Sequence, residues 1–194
     1  MTFEGQDKQN SDYSGYVLNN VTFEATNVSG SNFSGAELNG VNFRVRHDTG
    51  LASSEIDKYF SNLNFSNVVW NGGSISGQTD VTSGSSTTTY RVNINLYGAN
   101  FQNAVLNGIA FQSVNFDSAC SFENADLHGS SFFVVDLTDN LFQNAKIAGA
   151  KFIDSGFNKA MLQSTASYKT RTCKASFWLQ TEVWWTFPEW IFRA

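Results

Sequence analysis

The chain has 194 residues, a formal charge of −5 and only 15% charged residues, so it carries no summed field suited to gathering nucleic acid. Its length suits one domain with a continuous core, and no run of about 18 apolar residues offers a membrane span. Met1 is not followed by a charged and then an apolar region, so no cleaved signal peptide is expected. The expected location is the cytoplasm, or the outside by a route that needs no such peptide.

In chain order, Met1 to Asn10 reads as a polar end that frays. A first block then sets Tyr13, Leu18, Phe23, Val28, Phe33, Leu38 and Phe43 five residues apart. Two positions before them stand Ser11, Tyr16, Val21, Thr26, Ser31, Ala36 and Val41. Tyr16 is large for such a slot and predicts an irregular end. Residues 44–59 break the register, with a basic start (Arg44, Arg46, His47) and an acidic second half (Glu55, Asp57). The register returns for Phe60, Phe65, Trp70 and Ile75. A second excursion, residues 76–93, is rich in Ser, Thr and Gly. Alternation at Thr88, Tyr90 and Val92 after Ser83-Gly84-Ser85 allows a small hairpin there, and an irregular loop equally.

The longest block follows. Leu96, Phe101, Leu106, Phe111 and Phe116 are five apart, one residue is gained, and the spacing resumes through Phe122, Leu127, Phe132, Leu137, Phe142, Ile147, Phe152, Phe157 and Leu162. The extra residue lies within Asp117 to Ser121 and reads as a bulge. Small residues precede most of the apolar ones by two (Ala99, Ala104, Ala125, Ser130, Ala145, Ala150), and Gly, Asn or Asp often follows by two. Cys120 falls in a small slot and reads as a buried apolar residue; a disulfide to Cys173 is not favoured. Asn140 also falls in such a slot, where its amide must find partners or cost about 1–3 kcal/mol.

A period of five fits neither a helix, with its 3.6 spacing, nor a flat strand, with its spacing of 2. It fits a solenoid in which each unit is one side of a coil, the large residue and the small one two before it facing inward and a turn following. The single proline agrees, since proline would delete a hydrogen bond from a stacked ladder. Units such as Ala99-Asn100-Phe101-Gln102-Asn103, Ala125-Asp126-Leu127-His128-Gly129 and Ala36-Glu37-Leu38-Asn39-Gly40 resemble the pentapeptide-repeat family, whose pattern is A-(D/N)-(L/F)-x-x. The resemblance implies an all-β fold, a right-handed quadrilateral β-helix with four pentapeptides per coil. It implies no single function, because the family spans topoisomerase-protecting proteins, secreted bacterial effectors and many members of no known role.

After about Ser164 the pattern stops, dividing the chain into a solenoid over 1–164 and a segment over 165–194. That segment has a basic opening (Lys169, Arg171, Lys174) and then Phe177, Trp178, Trp184, Trp185, Phe187, Trp190 and Phe192. Its spacing fits a strand or a loose helical face alike. It reads as a cap over the last coil, where unpaired backbone and an apolar cross-section need cover, or as an association segment, or as both.

The chemistry of an enzyme is missing from the spacing. His47 and His128 lack the neighbours of a metal site, and no nucleophile has a held base, so neither metal nor cofactor nor catalytic residue is expected. Asp126, Asp136 and Glu37 occupy the polar slot, where solvent or turn amides satisfy them. N-x-(S/T) triplets at Asn20, Asn27, Asn32 and Asn64 are by-products of the repeat. The expected function is therefore a non-enzymatic scaffold that binds a protein partner or self-associates. The residues expected to carry it are Trp178, Trp184, Trp185, Phe187 and Trp190 in the tail and Arg44, Arg46, Tyr90 and Arg91 in the excursions. A homo-oligomer is expected, and direct nucleic-acid binding is not. Two alternatives stand beside it. One is DNA mimicry that protects a topoisomerase such as gyrase, for which the charges nearly cancel face by face; the other is a secreted effector or assembling structural component.

Overall fold

The computed structural model describes residues 1–45, 59–83, 86–91, 93–117, 119–172 and 176–178. Ten of its strands form one sheet with parallel pairing throughout: β1 (Thr2–Glu4), β2 (Val17–Asn19), β3 (Thr22–Glu24), β4 (Glu37–Arg44), β5 (Val69–Ser76), β8 (Ile94–Asn95), β9 (Val105–Asn115), β10 (Ser131–Asp136), β11 (Lys151–Ile153) and β12 (Ser176–Trp178). The other two, β6 (Gln78–Ser83) and β7 (Ser86–Arg91), form an antiparallel hairpin. Two short helices, α1 (Lys159–Ser164) and α2 (Ala166–Lys169), follow β11.

Register shows how the period of five becomes a coil. Phe3 pairs with Phe23 and Phe23 with Phe43, a step of 20 residues, or four units. The coil therefore has four sides, and each side carries one column of inward residues. Side one runs Phe3, Phe23, Phe43, Ile75, Phe111, Phe132, Phe152. Side three runs Tyr13, Phe33, Phe65, Phe101, Phe122, Phe142, and its rings stack without a break at 4.8, 5.2, 5.1, 5.0 and 5.0 Å. Those distances sit close to the spacing of neighbouring strands, so one column of rings rides on one ladder of hydrogen bonds. All fourteen apolar residues of the longest block, from Leu96 to Leu162, are buried.

Where the step departs from 20, sequence has been inserted. Glu37 pairs with Val69 and Val69 with Val105, steps of 32 and 36, and Phe111 pairs with Phe132, a step of 21. The larger two absorb the excursions. The path is left later and regained closer than the bounds 44–59 and 76–93, because Arg44 and Ser76 still belong to strands. The Val45 amide bonds Ser76 O at 3.4 Å and Gly77 bonds Gln112 O at 2.9 Å. On return, Tyr59 O accepts from Val28. The second excursion is the hairpin, not an irregular loop.

The small slot has a further use. A polar group there reaches back across the corner to a carbonyl of the coil before: Thr26 Oγ1 to Phe3 O at 3.0 Å, Ser31 Oγ to Lys8 O at 2.9 Å, and Asn140 Nδ2 to Asp117 O at 2.7 Å. Ser130 Oγ donates to Leu106 O in the same way and accepts the Ile109 amide at 3.1 Å. Asn140 is thus half satisfied, its Oδ1 having no partner. At the turns, the polar slot caps an amide two residues on, as Asn32 does for Ser34, Asp126 for His128 and Asp136 for Thr138. The residue two past the apolar centre takes a positive φ, which Asn and Gly tolerate. Val134 holds φ 51° at that place although its side chain is β-branched.

Cys120 sits in the slot made by the one-residue insertion, buried and free. Burial, then the Asp117 carboxylate beside its sulfur, push its thiol up to about 12. Its folded value lies above the unfolded one of about 8.5. The stability it lends is present below that pH and is lost as pH rises toward 12. At pH 8 the thiolate fraction falls roughly a thousandfold on folding. Iodoacetamide should therefore label Cys120 at pH 8 at least a hundredfold faster in urea than in buffer, followed by mass spectrometry of its peptide. Equal rates would contradict the assigned environment.

Both chain ends correct the sequence reading. Met1 to Asn10 does not fray: β1 pairs with β3, and Phe3 stacks on Phe23 at 5.2 Å. At the other end the coil gives way to helix at Lys159, so Leu162 is buried from α1 and not from a fifth-residue unit. Lys159 and Ser164 stand where Gly, Asn or Asp would make the turn, and Asn158 caps α1 by accepting from the Met161 amide at 3.0 Å. The helices lie on the last coil, with Ala166 N bonded to Ala145 O and Ile147 N to Ser167 Oγ, both at 2.9 Å.

Candidate functional site

Both excursions leave the same corner, between sides one and two, in successive coils. The first departs after Val45 and the second after Gly77, and Arg44 pairs with Ser76 across the two coils. Two residues beyond Ser76 lies Gln78, the base of the hairpin, whose cross-strand partner is Arg91. Arg44 is exposed in β4, and its strand partner Ser76 lies two residues before the foot of the hairpin.

That rung belongs to a longer column. Following the register gives Glu24, Arg44, Ser76, Gln112, Phe133, Ile153 and Trp178, each paired with the next. The column runs along the outward edge of side one, from the excursion corner to β12. Five strand spacings separate Arg44 from Trp178, or about 24 Å. Along the way Ser76 Oγ donates to Gln112 Oε1 at 3.2 Å, and Phe133 and Ile153 are half-buried. The fold thus sets a cation, two hydrogen-bonding groups and two apolar side chains along one edge. Tyr90 lies in β7. Arg46, Trp184, Trp185, Phe187 and Trp190 lie outside the described residues.

Sequence reasoning overlooked Phe133 and Ile153. Each follows an inward Phe and breaks no pattern of five, so it looks like one stray apolar residue. Only a reading at coil length, with both insertions subtracted, sets them in line with Arg44.

Amides ladder along two of the other sides among the described residues. Asn39 donates to Asn19 at 3.0 Å, Asn71 to Asn39 at 3.3 Å and Asn107 to Asn71 at 3.4 Å along side four, and Asn64 to Asn32 at 3.0 Å along side three. Carboxylates are scattered among them. Asp126 is paired with Lys146 at 3.5 Å, and on side two the column Asp7, Asn27, Tyr59, Asn95, Asn115, Asp136 has acids only at its ends. No unbroken carboxylate stripe runs along the described residues. His128 is exposed beside Asp126, as its place after an inward Leu predicts. No cluster of three metal-ligating side chains occurs among the described residues, and no described helix is long and apolar enough to cross a membrane.

The class defined by this geometry is a four-sided parallel β-solenoid carrying excursions on one corner. The model of the family "Pentapeptide repeats (8 copies)" matches residues 17–44 and 94–132, about a third of the chain. No curated protein sequence matches it. Solved structures similar to it include trypsin-treated QnrB1, a plasmid-mediated fluoroquinolone resistance protein, at 15% identity and TM-score 0.31, covering 91% of this chain and 77% of that one. HetL of the cyanobacterium Nostoc, a pentapeptide repeat protein involved in heterocyst differentiation regulation, matches at 15% identity and TM-score 0.27 over 80% and 82% of the two chains. A pentapeptide repeat protein of the Arabidopsis thaliana thylakoid lumen matches at 16% identity and TM-score 0.25 over 89% and 80%.

Proposed function

We propose that the chain is a rigid, non-enzymatic scaffold that binds a protein partner along the edge from Arg44 to Trp178 and self-associates through the aromatic segment beyond it. The observation that carries this reading is the single column: the strand residues from which the two excursions leave and a residue of the tail, far apart in sequence, share one edge. A solenoid keeps such an edge straight, because each coil is fixed by its neighbours. Arg and Trp are the side chains most often found at the centres of protein contacts. The tail from Phe177 to Phe192 holds more large apolar residues than a coil end already covered by α1 and α2 requires. Residues 1–164 serve as the scaffold and 165–194 as cap and association segment.

Light scattering tests it. The full chain should be a dimer or larger, and a version ending after Tyr168 should fall to a monomer. Because that version also loses β12, a second form keeps the full length and replaces Trp184, Trp185 and Trp190 by Ser. It should likewise be monomeric with an unchanged circular dichroism spectrum. If the full chain and both variants scatter alike, the tail is not where the protein associates.

A further inference from the structure

The first coil departs from later ones at a central position on side two and at the small slot of side four. On side two the central residues of later coils are Val28, Phe60, Leu96, Phe116, Leu137 and Phe157, all buried. In the first coil that position is Lys8. Its backbone keeps the coil path, with Lys8 N bonded to Asn27 O at 2.7 Å. Its side chain is half-buried, and the ammonium lies 5.4 Å from the centroid of the Phe3 ring. On side four the small slot of the first coil holds Tyr16, 58% exposed and edge-on to Tyr13 at 6.3 Å. Ala36, in the matching small slot of the second coil, is enclosed by comparison.

These two residues stand where stacking would otherwise continue. The first coil presents the outer edges of β1 and β2 and the half-buried Phe3, Tyr13 and Leu18. Left so, this end would offer paired-strand geometry and ring faces to a second copy, which is how an open edge recruits another chain. We infer that Lys8, with Tyr16, closes this end of the solenoid to a second copy. A coil laid on this end would strip water from an ammonium whose partner among the described residues is an aromatic face, a cost that apolar contact does not repay. Two copies meeting here end to end would also bring two Lys8 ammoniums together. Tyr16 adds bulk that no small slot accommodates.

The consequence concerns the form of assembly. A chain that associates at both ends builds open filaments, whereas one that associates at one end stops at a closed pair. Lys8 therefore separates a dimer-forming scaffold from a filament-forming one. The inference does not depend on the tail, because it concerns steps of association added at the first coil whatever the other end does.

The test compares Lys8→Leu and Lys8→Arg with the unaltered chain by sedimentation velocity over a hundredfold range of concentration. Each is also made with Gln9→Cys, for cross-linking by a short bismaleimide at the first coil. Lys8→Leu should form species of at least twice the unaltered mass, cross-linked through residue 9, and should melt no lower than the parent. Lys8→Arg and the parent should neither double nor cross-link there. The inference is overturned if Lys8→Leu sediments like the parent. It is equally overturned if Lys8→Leu doubles without cross-linking at residue 9, or if the unaltered chain already cross-links there.

Discussion

Replacing Gly73 by Ala is expected to cost about 3 kcal/mol or more of folding stability, the sum of overpacking and an unfavourable backbone region. Gly73 holds φ 118°, and a Cβ on it would lie 2.0 Å from Val41 O and 3.1 Å from Trp70 Nε1. The first of these is backbone, which cannot swing aside. The reason for the glycine is its neighbour on side four. Trp70 stands in a column otherwise made of Leu18, Leu38, Leu106, Leu127 and Ile147, and it is fully buried. Gly73 stands in a slot filled by Val41 and Ile109 in the coils on either side. The indole takes the room that this slot gives up, and its Nε1 finds no acceptor. Urea unfolding followed by Trp fluorescence measures the loss as a shift in midpoint. A change below about 1 kcal/mol would mean that the coil relaxes there more freely than close packing allows.

Phe132→Ala should cost about 3–5 kcal/mol, the usual loss for a buried Phe. Phe132 lies between Phe111 at 4.8 Å and Phe152 at 5.0 Å, with Phe122 edge-on at 5.8 Å. The cavity would open in the middle of side one, where the rings above and below are held by ladder bonds and cannot close the gap. Because each coil is supported only by its neighbours, the damage should spread toward β11 and the helices. Hydrogen exchange should show lost protection over 131–172 before 59–117. Uniform loss across the chain would instead indicate one indivisible cooperative unit.

Much of the solenoid was legible because its inward residues repeat at a spacing no other element uses. Leu96 to Phe157 could be placed side by side before any coordinate was known. The first two sides of the first coil were not legible, since Lys8 interrupts the series between Phe3 and Tyr13 and makes a folded turn look like a polar end. Leu162 misled in the opposite sense: it keeps the spacing yet lies on α1, since the turn residues around it had changed to Lys and Ser. The hairpin was half legible. Alternation at Thr88 and Tyr90 allowed it, while the Ser and Thr content allowed a loop as readily. The edge from Arg44 to Trp178 was hidden for a different reason. It repeats at coil length, and insertions of unequal size scatter that repeat along the sequence.

The insertions themselves have a practical meaning. Steps of 32 and 36 residues occur between coils whose neighbours are spaced by 20 or 21, yet Phe43 still pairs with Ile75 and Ile75 with Phe111. The corner after side one works as a socket: whatever leaves it must only return within reach of the next side. The entropy of closing a longer loop rises slowly, by about 0.6 kcal/mol for each doubling. Foreign sequence could therefore be grafted between Val45 and Tyr59, or in place of the hairpin, and be displayed beside Arg44 on a frame that does not register its length.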